Sequence, residues 1–276
     1  MVVRLPSGSA LVTSAEREAA GAPVLFLHGV GGGAWSWQPQ AAACAAERPT
    51  YVWEARGHGN AARVADAGLG DYYIDAQEAL AAVEAAHGAP AWLVGHSMGG
   101  LLALALAAER PSAVRGLVLI DPVYAPAGGA HGGKAFAALM RRAVVPLVNS
   151  IAADGVVARA VSRWIFEASF LDRACMLRAW RSQRTQVPVE YPKMMYEAFD
   201  GPTGFPNRAF AREIVQPTLL VEPLGSGGQR LVELAADLAP LRERFTAVAL
   251  DGGHYLQLDR SGPRLTRELV SFLARW

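Results

Sequence analysis

The stretch GHSMG, Gly95–Gly99, sets one hydroxyl between two glycines at the spacing G-x-S-x-G. A serine at a sharp strand-to-helix turn needs small flanking residues, because the backbone on either side must approach without a Cβ clash. The context suits such a turn. Ala91–Gly95 reads as a short buried strand and Met98–Arg110 as an Ala/Leu-rich helix, so Ser97 would project at the carboxyl end of a sheet. A hydroxyl becomes a useful nucleophile there only when a base takes its proton. A late histidine, His254 in DGGHYLQLD, lies between the end of an apolar run and a closing helix. A lone histidine is more often structural, but this one follows the serine in the chain order of one known catalytic arrangement.

A second glycine-rich stretch, HGVGGG at His28–Gly33, follows the apolar run Pro23–Leu27. Its backbone N–H at Val30, with that of Met98, could stabilise the charge that develops on a carbonyl oxygen under attack. The same stretch also fits a dinucleotide-binding pattern. Gly29, Gly31 and Ala34 read G-x-G-x-x-A, and Glu54 ends the next strand about 20 residues on, as that fingerprint requires. A nicotinamide-dependent enzyme is therefore the distant alternative, and it leaves GHSMG and His254 unexplained.

The elements that must position these residues alternate along the chain. Val2–Leu5 and Ala10–Thr13 suggest an antiparallel hairpin. Pro23–Gly29, Thr50–Gly59, Ala91–Gly95 and Arg115–Pro122 read as strands, with helices over Asp75–His87 and Met98–Arg110. From Val123 to about Ile214 no buried strand is evident. Gln216–Glu222 and Phe245–His254 resume the strands, and Arg264–Trp276 closes as an amphipathic helix with Leu265, Leu269, Phe272 and Leu273 on one face. The division is thus 1–122 core, 123–214 inserted helical cap and 215–276 core.

The three motifs HGVGGG, GHSMG and GGH, in this order and over this whole pattern, resemble the α/β-hydrolases that carry a helical cap after the sixth strand. The resemblance implies an α/β-hydrolase fold, with a mostly parallel eight-stranded sheet flanked by helices. It also implies Ser97 as nucleophile and His254 as base, with RGHG (Arg56–Gly59) as a structural loop. Most such relatives carry the acid in the loop after strand seven, where this chain has Ser226. Asp121, at the end of strand six, is the position a minority of the family uses. Glu222, at the end of strand seven, is the alternative acid, and the sequence leaves open that neither serves. Asp251 and Asp259, beside His254, are expected to cap local turns or meet solvent.

The function expected is a cofactor-free serine hydrolase acting on a carboxylic ester, thioester or lactone. A carbon–carbon hydrolase or acyltransferase with the same residues is the runner-up. A ligand-binding, slowly turning regulatory member of the fold is the alternative from another class. Aromatic residues of the insert, among them Trp164, Phe166 and Tyr196, would line a pocket for a bulky, largely apolar small molecule, although most such residues simply pack the cap. The insert carries 12 Lys/Arg against 7 Asp/Glu. That surplus would suit an anionic substrate or an acyl group on coenzyme A or a carrier protein, against the plainer reading of a solvated surface.

A net charge of +1 gives no reason to expect nucleic acid. No apolar run approaches the roughly 20 residues that span a bilayer, and no secretory signal is visible. The histidines and the two distant cysteines, Cys44 and Cys175, show no metal-ligand spacing. A cytoplasmic protein without metal or cofactor is expected.

Overall fold

A computed structural model of the chain describes residues 1–13, 19–62, 67–124, 170–176, 207–226 and 229–276. Eight strands form one sheet: β1 (Val2–Arg4), β2 (Ala10–Thr13), β3 (Val24–Leu27), β4 (Thr50–Glu54), β5 (Ala91–His96), β6 (Val114–Ile120), β7 (Thr218–Pro223) and β8 (Phe245–Leu250). Their spatial order is β1-β2-β4-β3-β5-β6-β7-β8. The β1–β2 and β2–β4 pairs are antiparallel, and every pair from β4 to β8 is parallel. The α-helices whose ends both lie among the described residues are α1 (Gln38–Ala45), α2 (Leu69–His87), α3 (Met98–Glu109), α4 (Asn207–Glu213), α5 (Gln229–Leu238) and α6 (Gly262–Arg275). The parallel sheet with helices on both faces is what the alternation of short apolar runs and helical stretches leads one to expect, and its eight-stranded form is the α/β-hydrolase architecture that the resemblance implied.

The continuous apolar character of the central strands follows from burial on both faces. Because side chains alternate along a strand, Leu25 and Leu27 of β3 join one core with Leu93, Leu117 and the α2 and α3 side chains Leu80, Leu101 and Leu104. Val24 and Phe26, one residue out of phase, join the opposite core with Val94, Val118, Ile120 and Val221. That second core is closed by Leu265, Leu269, Phe272 and Leu273, the α6 face anticipated from its periodicity. Neither Cys44 nor Cys175, both buried, forms a disulfide. No helix among the described residues is long and apolar enough to cross a membrane.

One element departs from the expectation. The helix anticipated over Asp75–His87 begins at Leu69. Its first turn is polar and aromatic, which hides the amphipathic period. The Asp71 carboxylate accepts the Gly68 N–H at 2.8 Å, a local cap that lets the helix start there. Asp75, one turn on, is fully buried and pairs with the Arg56 guanidinium. The extra turn therefore fastens α2 to the loop that follows β4.

Candidate active site

The backbone at Ser97 carries φ 53° and ψ −118°, in the left-handed half of the map that a side chain normally avoids. Such a conformation costs on the order of 1–3 kcal/mol and persists only where its surroundings hold it. They do. The Ser97 N–H donates to the Ile120 carbonyl at the tip of β6, and its own carbonyl accepts the N–H groups of Gly100, Leu101 and Val123. The glycines of GHSMG make this turn possible. A Cβ on Gly99 would lie 2.1 Å from the Leu27 carbonyl oxygen, and one on Gly95 would lie 2.4 Å from that of Gly99. Both obstacles are backbone and have nowhere to go. Gly99→Ala is accordingly expected to destabilise the fold by about 3 kcal/mol, the upper part of the usual range for overpacking. A urea melt would read this directly, and an unchanged midpoint would contradict it.

The tip of β6 supplies the second feature. Asp121 has φ 40°, and its N–H donates to the Val221 carbonyl. Its Oδ2 lies 2.6 Å from His254 Nδ1, so the ring donates Nδ1–H to the carboxylate and keeps Nε2 as its acceptor. The imidazole is one-third exposed while Asp121 is only 11% exposed, which leaves the ring accessible to a ligand and its partner withdrawn. Glu222, the alternative acid, follows the residue paired with Ile120 across β6 and β7, and so stands beside Asp121. Burial and, secondarily, the charge of Asp121 raise its pKa. The described contacts bring Asp121, and not Glu222, to His254. Ser226, where most relatives would have the acid, lies in the turn Leu224–Ser226.

His96, next to Ser97, joins the two halves. Its Nε2–H donates to the His254 carbonyl at 2.7 Å, and the two rings lie 4.6 Å apart. Burial, with a lesser push from His254, lowers the His96 pKa to about 3, so the ring is neutral and structural. Tyr255 packs against His96 on one side and stacks on Phe170 on the other, at 5.4 Å and 11°.

The HGVGGG loop runs beside the serine turn. A Cβ on Gly29 would lie 2.9 Å from the Ser97 Cβ, so the loop can pass there only as glycine. Its shape is fixed by two buried histidines whose role the residue pattern did not disclose. His28 donates Nδ1–H to the Gly29 carbonyl and accepts the Ala55 N–H on Nε2. His58, from the RGHG stretch, donates Nδ1–H to the Arg56 carbonyl and accepts the Gly31 N–H on Nε2 at 3.1 Å. Burial lowers these two pKa values to about 4 and about 3, which keeps both acceptor nitrogens available. The Tyr255 hydroxyl holds the Val30 carbonyl, and the Gly32 N–H returns to Gly29. The Val30 and Met98 N–H groups stand outside these bonds, on the loop and on the first turn of α3. There, the amides of a helix N-terminus have no intrahelical acceptor.

Glu54, the acid of the dinucleotide pattern, is buried. Its carboxylate accepts N–H groups from Ala34 and from the Asn60 backbone and side chain, at 2.7–3.0 Å. It braces the glycine-rich loop internally and presents nothing to a ribose, so that reading fails on geometry. Asp251 is exposed and pairs with Arg260. Asp259, expected to cap a turn or meet solvent, is buried and accepts backbone N–H groups both locally and from residues 171 and 172. Trp164, Phe166 and Tyr196 lie outside the described residues.

A strained serine after a central strand, a carboxylate–imidazole pair and a glycine-rich loop beside them define a class, and comparison with known proteins agrees. A model of the alpha/beta hydrolase family matches residues 24–266, and the chain belongs to that family. Among relatives, it is 40% identical over 129 residues to "Probable esterase PIR7A" of Oryza sativa subsp. indica, covering 45% of this chain and 48% of that one. The chain spans less than half the length of the curated relatives it matches first. Among solved structures, the enol-lactonase of Burkholderia xenovorans LB400 superposes with a TM-score of 0.75 at 20% identity, covering 99% of this chain and 100% of the other. A thermophilic esterase of Thermogutta terrifontis gives 0.77 at 18% identity, covering 100% and 98%. At such identities these two structures speak for the fold.

Proposed function

We propose that the chain is a serine hydrolase that cleaves a carboxylic ester, thioester or lactone through an acyl-enzyme on Ser97. In the first half, His254 Nε2 takes the Ser97 hydroxyl proton as Oγ bonds to the substrate carbonyl carbon. The resulting oxyanion is held by the Val30 and Met98 N–H groups. Collapse breaks the bond to the leaving group, which receives the proton back from His254. In the second half, water gives a proton to His254 as its oxygen bonds to the acyl carbon, and collapse breaks the bond to Oγ, which takes that proton back from His254 as the carboxylic acid is released. Asp121 holds the imidazole in the tautomer with a free Nε2 and stabilises the imidazolium formed in each half.

The observation that carries this reading is the Asp121–His254 pair, fastened through His96 to the positive-φ turn at Ser97. The esterase name of the rice relative supports the reaction class. A largely apolar acyl group is part of the proposal, supported by the buried cluster of Phe170, Cys175, Met176 and Tyr255, with Trp35 and Leu258 packed on it. The basic surplus of residues 123–213 supports an acyl group carried on an anionic thiol ester.

A fluorophosphonate probe tests the proposal. Its phosphonyl group is expected to add to the peptide containing Ser97 and to be absent from Ser97→Ala, alongside turnover of short nitrophenyl esters by the unaltered chain. A chain that takes no label and turns over no ester would instead be a ligand-binding member of the family.

A further inference from the structure

We infer that Asp259 is a positioning residue for the proposed hydrolysis, one that makes the placement of His254 depend on the segment 170–176. The inference rests on the reading of His254 as the base. Asp259 is 3% exposed, and its two oxygens divide their work in the same way. Oδ2 accepts the Gly253 N–H at 2.8 Å and the Leu171 N–H at 3.0 Å. Oδ1 accepts the Arg260 N–H at 2.9 Å and the Asp172 N–H at 3.2 Å. Each oxygen thus bridges one amide of the loop that carries His254 to one amide of a segment more than 80 residues earlier. Gly253 is the residue immediately before His254.

The segment itself is drawn in by two further contacts. Phe170 stacks on Tyr255, the residue immediately after His254. The Cys175 N–H donates to Asp172 Oδ1, and the buried Cys175 and Met176 pack in the same cluster as Tyr255. The catalytic imidazole is therefore flanked in sequence by two residues, Gly253 and Tyr255, each tied to the segment 170–176. Its ring is held on the other side by Asp121 and its carbonyl by His96. A carboxylate is the group this junction requires. It offers acceptor capacity on both oxygens, whereas an amide offers it on one and turns N–H donors toward the remaining pair. Whichever way an asparagine at 259 turned, one of the two bridges would become a donor–donor contact.

The experiment compares Asp259→Asn with the unaltered chain, in turnover counted per active site titrated by fluorophosphonate. The expected result is a kcat per titrated site lower by about tenfold or more, since small displacements of a reacting group are that costly. KM should stay within about threefold, because the substrate is not what Asp259 touches. A purely structural role would lower the melting temperature and the titratable fraction while leaving kcat per titrated site as it was, and that result would overturn the inference. Should Asp259→Asn yield no folded protein, Phe170→Ala serves in its place. That variant cuts the second tie and leaves the carboxylate intact, and its kcat per site on an acetyl ester, whose acyl group is too short to need the apolar cluster that includes Phe170, is expected to drop by about threefold or more. An unchanged value would overturn the inference equally. A wild-type chain that takes no label removes the parent reading and this inference together. A labelled wild type with unchanged per-site turnover in the variants removes this inference alone.

Discussion

Asp121→Asn is expected to lower kcat about 10⁴-fold while leaving the fold intact, whereas Glu222→Gln should cost no more than a few-fold. The asymmetry follows from the tautomer. In the unaltered chain His254 donates Nδ1–H to the Asp121 carboxylate, so Nε2 carries the lone pair that takes the serine proton in the proposed mechanism. An asparagine whose NH₂ faces Nδ1 forces the ring to accept there and to carry its proton on Nε2, where it blocks the transfer. No countercharge then remains for the imidazolium. Folding should survive because Asn tolerates the left-handed backbone found at Asp121 nearly as well as Asp does. Glu222 contributes only a neighbouring charge, which burial and Asp121 already disfavour. Steady-state kinetics on one nitrophenyl ester decide the matter, and a reversed ranking of the two variants would transfer the role to Glu222.

This pair also marks how far the chain alone could be read. The serine turn was legible because its requirement is local. Gly95 and Gly99 must be small for reasons confined to a five-residue loop and the strand beside it. The strands were legible because burial on both faces leaves uninterrupted apolar runs. The choice between the two candidate acids was not decidable, since Asp121 and Glu222 stand at the tips of adjacent parallel strands and differ in which one faces His254, a contact made across the sheet and not along the chain. His28, His58 and Glu54 were hidden for the same reason. Each one braces the glycine-rich loop through a contact with residues well separated in sequence, and nothing in the spacing of HGVGGG or RGHG announces it. Glu54 even satisfied a dinucleotide pattern, because a buried carboxylate that collects backbone N–H groups and one that binds a ribose look alike in one dimension. Only part of the work of Asp259 is legible from its neighbours. It does cap the turn beside it, but half of its acceptor capacity goes to residues 171 and 172, which no local pattern could reveal.

Those buried histidines carry the second large consequence, an acid-labile fold. His28, His58 and His96 are all fully enclosed, and burial lowers their pKa values from 6.5 to about 4, about 3 and about 3. As pH falls below 6.5 the unfolded chain binds protons on these rings while the folded chain does not, so stability drops. It is fully present above 6.5 and is lost progressively toward the folded pKa values. Each ring contributes a slope of about 1.4 kcal/mol per pH unit once its unfolded form is fully protonated. Three rings together would remove several kcal/mol between pH 6.5 and pH 4, a large share of the roughly 5–15 kcal/mol typical of a folded domain. Urea melts at pH 7.5, 5.5 and 4.5 should show a steadily falling midpoint, and a flat profile over that range would refute the argument. His58→Gln, which keeps a side-chain acceptor within range of Gly31 but cannot ionise, should remove about a third of the slope. The loss of activity should track the loss of stability, because His58 takes up its proton in this range only as the chain unfolds and gives up its bond to the Gly31 N–H. The loop that carries the Val30 amide then loses its hold beside Ser97.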